Sequence, residues 1–162
     1  MHSPNIERLR VGDEGRLRAI RLRALRDAPE AFETTFDEAS ARPLESWQRQ
    51  LEELVTFVAV VGDFDVGIVR GARHDDRDDT AYLLSMWVAA EARRQGIGSA
   101  LIDAVVGWAK ELGFTRLLLD VGEANAAAMA LYSQKGFVPT GIVGRLPPPR
   151  AHVHEIQMAL PL

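Results

Sequence analysis

The stretch SMWVAAEARRQGIGSALIDAVV, Ser85 to Val106, constrains this chain more than any other. An apolar, strand-like run (TAYLLSMWVA) gives way to two arginines and then to two glycines one residue apart. From Ile97 the apolar positions 97, 101, 104, 105, 108 and 112 form a helical stripe that stops at Gly113. A helix N-terminus carries unpaired N–H groups and the positive end of the helix dipole, so it favours anions. Gly96 and Gly98 are expected to let the backbone turn and approach a ligand without Cβ interference. Arg93 and Arg94 supply charge suited to phosphate. Strand, arginines, glycines and helix together predict a pyrophosphate cradle. No Gly-Lys-Ser/Thr follows, which excludes a Walker-type loop, and the third glycine of the dinucleotide fingerprint is missing. The alternative is that both glycines serve only close packing of the strand-to-helix turn.

Around this stretch the periodicities give an ordered series of elements. Ile6 to Val11 alternates as a short strand, and Asp13 is placed to cap a helix with Leu17, Ile20, Ala24 and Leu25 on one face, ending before Pro29. Arg16, Arg18, Arg21, Arg23 and Arg26 interleave with that face and read as a solvated surface. DAPEAFETTFDEASARP reads as an acidic loop, and Leu44, Trp47, Leu51 and Leu54 mark a second amphipathic helix. VTFVAVVG, VGIVRGAR and TAYLLSMWVA read as successive strands, TRLLLDV as a buried one. NAAAMALYSQKG is a helix with Asn125 as its cap and Gly136 as its stop. Two last strands flank Pro147 to Pro149. The order β-α-α-β-β-β-α-β-α-β-β predicts a single mixed α/β domain over residues 1–162, built on a central sheet.

Composition then removes whole classes of function. At 162 residues, 47% of them hydrophobic and 26% charged, the chain has globular proportions and enough length for a core. A formal charge of −4 gives nucleic-acid binding no support. Absence of cysteine excludes a disulfide, a thiol nucleophile and a thiolate metal site. No apolar run nears the roughly 20 residues that span a bilayer, and MHSPNIERLR offers no signal-like segment. The expectation is a cytoplasmic protein with no membrane partner.

A second motif lies about one strand and one loop downstream. On the helix of LLLDVGEANAAAMALYSQKGF, Asn125, Met129 and Tyr132 share a face, and its ends stand about 10 Å apart. Taken with the glycine stretch, the segment from about Thr80 to Val138 resembles the core of the GNAT superfamily of acetyl-CoA-dependent N-acetyltransferases. Arg93-Arg94-Gln95-Gly96-Ile97-Gly98 is similar to that family's Q/R-x-x-G-x-G/A signature, and Asn125 to Phe137 to its tyrosine-bearing helix, with slightly different spacing from some members. The resemblance implies a mixed α/β (α+β) GNAT fold. Its mostly antiparallel, twisted sheet would have about six to seven strands and a splayed central gap, with about four flanking helices.

It also implies roles. Backbone from Arg94 through Gln95, Gly96, Ile97 and Gly98 to Ser99, with Arg93 beside it, would hold the pyrophosphate of acetyl-CoA. Met86, Trp87 and Val88 would run beside the pantetheine, Val88 N–H meeting the oxyanion, and Asn125 would touch the cofactor arm. Tyr132 would protonate the leaving thiolate. Asp120 is the candidate base, with Glu123, Glu30 and Glu33 as competitors; YLLSMWV lacks the carboxylate some members carry, so ordered water is an alternative. Glu30, Phe32 and Glu33 are expected at the acceptor, a small-molecule amine of cationic type, although those acids also fit a solvated loop. A peptide N-terminus or lysine is the alternative acceptor, and a silent acyl-CoA-binding module the alternative function. His152 and His154 read as one exposed strand face without a third ligand, so no metal is expected. Dimerising relatives make a homodimer an expectation by analogy.

Overall fold

The computed structural model describes residues 4–162. Met1 to Ser3, the first residues of the segment read as lacking a signal, lie outside the described residues. The chain runs β1 (Asn5–Leu9), α1 (Glu14–Asp27), α2 (Phe36–Ser40), α3 (Leu44–Glu53), β2 (Val55–Val61), β3 (Phe64–Arg73), β4 (Thr80–Val88), α4 (Ile97–Glu111), β5 (Arg116–Gly122), α5 (Ala126–Gln134), β6 (Val138–Arg145) and β7 (His154–Pro161). Single 3-10 turns occupy Pro29–Ala31 and Ala90–Ala92.

The seven strands form one sheet in the order β1-β2-β3-β4-β5-β7-β6. Every neighbouring pair is antiparallel except β4 and β5, which are parallel and joined through α4. Gly67 and Gly71 on β3 face α4, where an added Cβ would meet Leu101, Ile97 and Trp108. The opposite face of β3 carries Ile68 and Arg70 under α1 and α3. The core therefore has two layers. Leu101, Ile102 and Val105 fill one, and Leu17, Ile20, Leu25 and Trp47 the other, all essentially buried. Burying each large side chain contributes about 1.5–3 kcal/mol.

Three departures from the sequence reading have local causes. The 27–43 segment is not all loop, because α2 makes a fifth helix. Thr35 Oγ1 accepts from Glu38 N–H at 3.1 Å, and the Thr-x-x-Glu spacing is a capping-box signature. Asp13 does not cap α1 with its side chain; its carboxylate turns back to accept from Arg10 N–H at 2.9 Å. The arginines of α1 do not form one solvated face, since Arg21 is only 4% exposed. Arg16 instead binds Asp65 and Glu7 across the sheet edge.

Candidate active site

β4 and β5 stay paired for only three residues each, Thr80 to Tyr82 against Arg116 to Leu118. Beyond that point the strands diverge, and a cleft of about 1030 Å³ opens between them. Its walls are Leu83–Met86 of β4 and Asp120–Gly122 of β5. The Pro29–Ala31 turn with Phe32 and the 152–154 segment overhang it, and Asn125, Ala128 and Tyr132 close it from α5. Ala89 N–H donates to Val66 O of β3 at 2.8 Å. Strand alternation then turns Val88 N–H the other way, toward the gap. The backbone of β4 bulges at Ser85, a non-glycine with φ of 61°, where the register against β3 slips by one residue.

The turn into α4 is built from backbone. Arg94 and Gly96 both adopt left-handed φ, 63° and 78°, a geometry that makes successive N–H groups converge into an anion-binding nest. α4 has no side-chain cap and no acidic residue in its first turn, so its leading N–H groups keep their full donor capacity. The two glycines divide the labour. Gly96 borders open space and is needed for its φ; a Cβ on Gly98 would come within 2.9 Å of Leu131 Cδ2 and 3.2 Å of Met86 Cε. Gly98 thus permits close packing of α4 against α5 and β4.

The side chains here differ in their engagement. Arg93 holds the loop itself, donating to Val88 O at 2.9 Å and pairing with Asp27 at 3.1 Å. Trp87 donates to the same Asp27 at 2.9 Å, faces α1 and pairs with Ile68 of β3, away from the cleft. Ile97 is buried in the core. Arg94 and Gln95 are exposed, and Gln95 donates to Glu91 O at 3.4 Å. Ser99 Oγ accepts from Lys135 Nζ at 3.0 Å, and Lys135 also pairs with Asp103 at 2.6 Å. That lysine sets a cation beside the start of α4, a feature whose only sequence trace is its place next to Gly136.

Asn125 caps α5 by accepting from Ala128 N–H at 3.2 Å, which leaves its Nδ2 for the cleft. Tyr132, 6% exposed, packs edge-on against Phe137 while bordering the cleft. Burial pushes its phenol pKa well above the ordinary value, so it stays protonated at neutral pH. Asp120 is open to the cleft rather than buried as the sequence reading had it. The surrounding walls desolvate its carboxylate and Glu33 adds repulsion, and both raise its pKa. Glu155, diagonal to Asp120 on the same face of β7, is raised for the same first reason and further by Asp120 and Glu33.

Glu30 and Phe32 line the cleft, as do His152 and His154. His152 lies in the turn before β7, not on the strand, with Nε2 3.5 Å from Glu30 Oε1. Among the described residues no three His, Asp or Glu side chains gather at metal-ligand spacing. Arg150 straps the two overhanging segments together. It donates to Pro29 O and Glu33 O, both at 2.6 Å, and to Phe32 O. No periodicity announces Arg150 or Glu155, because each acts on residues distant in sequence.

A family model described as the Acetyltransferase (GNAT) family matches residues 19–137. The chain belongs to that family. Over 79 residues it is 39% identical to human N-acetyltransferase 8, covering 47% of this chain and 35% of that protein. It is also 39% identical over 59 residues to the Escherichia coli K12 [ribosomal protein bS18]-alanine N-acetyltransferase, covering 36% and 40% respectively. The matched region spans little more than a third of the length of such curated relatives. Among solved structures, a GNAT-family acetyltransferase from Streptococcus pneumoniae superposes with a TM-score of 0.80 at 22% identity, covering 99% of both chains. A ribosomal-protein-alanine N-acetyltransferase from Brucella melitensis gives 0.77 at 23% identity, covering 98% of this chain and 99% of its own. These two share the GNAT fold, the mostly antiparallel open sheet described above. No helix among the described residues is long and apolar enough to cross a membrane.

Proposed function

We propose that this chain transfers an acetyl group from acetyl-CoA to a primary amine of a small molecule in a ternary complex, with Tyr132 as the general acid. The observation that carries the reading is a buried, protonated phenol bordering a cleft whose other wall is an unpaired strand edge. Residues suited to the cofactor are present in the right order. The nest at Arg94–Gly96 and the uncapped start of α4 fit a pyrophosphate, and Lys135 adds charge nearby. Acetyl-CoA supplies the thioester.

The chain's own groups do the rest. Val88 N–H donates to the acyl oxygen as charge develops there. As the amine nitrogen bonds to the acyl carbon, the C–S bond breaks and Tyr132 gives its proton to sulfur. Before that attack the ammonium gives one proton to Asp120, directly or through water, where a raised pKa favours its acceptance, and after it the nitrogen's surplus proton restores the Tyr132 hydroxyl. Glu30, Glu33, Asp120 and Glu155 make the cleft mouth negative, which attracts a protonated amine. A peptide α-amine is the second reading, favoured by the similarity to the bS18-alanine N-acetyltransferase. A cytoplasmic location and a homodimer are inferred by analogy with the family, and light scattering checks the latter.

Thiol release from acetyl-CoA across an amine panel tests the reading. Wild type should turn over, and Tyr132→Phe should lose about 100-fold in kcat with little change in either KM. Tight coenzyme binding with no turnover on any amine would identify a silent acyl-CoA-binding module instead.

A further inference from the structure

Two arginines buried beside the cleft lack the counter-charges that buried cations ordinarily have. Arg70, on β3, is 6% exposed; its Nε donates to Ser85 Oγ at 2.9 Å and its Nη1 to Gln50 Oε1 at 2.7 Å, both neutral acceptors. Arg21, on α1, lies 5.2 Å from the centre of the Phe32 ring, and its Nη1 has no partner. Among the described residues neither pairs with a carboxylate. Burial lowers the pKa of both, Arg21 to about 10, and each feels a neighbouring arginine: Arg42 acts on Arg21, and Arg21 and Arg42 on Arg70. Trp47 Nε1, on the helix that carries Gln50, is a further buried donor without an acceptor. Donors outnumber acceptors here and the acceptors present are neutral, an arrangement that is costly unless an anion answers it.

Ser85 connects this cluster to the cleft. Its oxygen is engaged by Arg70, so its own hydroxyl hydrogen is left to donate, polarised by the guanidinium behind it. Ser85 lines the cleft at the β4 bulge. The strand registers pair Arg70 with Leu84 and Tyr82 with Leu118. By alternation Arg70 and Asp120 therefore point to the same face of the sheet, on opposite sides of the gap. That face is positive behind β4 and negative along β5 and β7.

We propose that Ser85, backed by Arg70 and Arg21, recognises a carboxylate on the acceptor, which is thus an amino-acid-like zwitterion with its amine toward Asp120 and Glu155. The proposal rests on the N-acetyltransferase reading above. Arg70 and Arg21 are positioning residues in it, and Ser85 makes the contact.

The test compares free amino acids with their carboxamides, their decarboxylated amines and short peptide amides, using wild type, Ser85→Gly and Arg70→Met. Glycine suits the positive φ at position 85, so that variant removes the hydroxyl with the least disturbance of the bulge. Wild type should favour carboxylate-bearing acceptors by roughly tenfold or more in kcat/KM, equivalent to about 1.4 kcal/mol. Both substitutions should erase most of that preference by raising acceptor KM, with KM for acetyl-CoA unchanged. Equal or better turnover of acceptors without the carboxylate, peptide amides included, would overturn the proposal and leave the acetyltransferase reading standing. A uniform fall in kcat for every acceptor, with no change in preference, would also overturn it, by making Arg70 and Ser85 structural only. No turnover of any amine would remove the acetyltransferase reading and this proposal with it.

Discussion

The two ends of the β4–β5 gap are made of different materials. At the α4 end the donors are backbone groups held by the turn itself: Arg94 and Gly96 in left-handed φ, an uncapped helix start, and Val88 N–H facing away from β3. At the other end nearly everything is side chain, and it comes from remote parts of the chain. Glu30 and Phe32 follow α1, Asp120 lies on β5, and Arg150 and Glu155 come from the last loop and strand. A backbone-built site needs a few consecutive residues of the right conformational freedom. A site of side chains needs the whole fold to bring it together, and it can be altered one residue at a time without disturbing the cradle.

The largest effect should come from breaking the backbone end. Gly96→Val meets no steric obstacle, since nothing lies within 4 Å of an added Cβ, but a β-branched residue resists φ of 78°. Relieving that strain rotates a donor out of the nest. Coenzyme affinity measured by calorimetry should fall roughly tenfold to hundredfold, on the scale of about 1–3 kcal/mol of local strain. Gly96→Asn, whose side chain tolerates left-handed φ, should lose far less. Equal losses from both would mean that side-chain bulk, not backbone geometry, controls this end.

The same contrast explains what was legible in the sequence. The strand, the Arg-Arg-Gln-Gly-Ile-Gly turn, the stripe of α4 and the Asn125-to-Tyr132 helix are local patterns, so those elements were legible directly, while the splayed sheet followed from the family resemblance they carry. Helix α2 also carried a local signal, Thr35 with Glu38, but it sat in a stretch whose acids and prolines look like loop. Arg21 was misleading for a different reason. In an arginine-rich helix, period alone does not distinguish a solvated cation from one turned inward beside Phe32. Gly98 shows the limit of motif reading, because its packing against Leu131 and Met86 depends on two other elements. Ser85, Arg150 and Glu155 were invisible because their partners lie far away along the chain.

An intermediate effect should come from loosening the side-chain end. Arg150→Ala removes the strap on Pro29, Phe32 and Glu33 while leaving α4 and α5 untouched. Acceptor KM should rise about fivefold to tenfold, the scale of one or two lost charge-assisted hydrogen bonds with some slack in the loops. KM for acetyl-CoA should not move. Arg150→Lys restores the charge but not the fork, so it should recover only part of the loss. If both KM values rose together, the two ends would be mechanically coupled and the contrast between them would fail.

The smallest effect concerns what each end stores. The cradle holds backbone strain, whereas Asp120 holds electrostatic cost: the cleft walls and Glu33 raise its pKa above the ordinary 3.8. With the folded pKa above the unfolded one, the folded state binds more protons in that window, so stability falls as pH rises through it and stays lower at neutral pH. Asp120→Asn removes the penalty. At pH 7 the variant should melt higher, by ~1–2 °C for a position open to solvent, and below pH 3.8 the difference should vanish. On the proposed mechanism acetyl transfer should fall in the same variant, since the proposed proton acceptor is gone. A gain in melting temperature together with a loss of turnover marks a carboxylate kept for chemistry at the expense of stability. A loss of both would mean that Asp120 is held by a stabilising contact, and that the acceptor end carries no such cost.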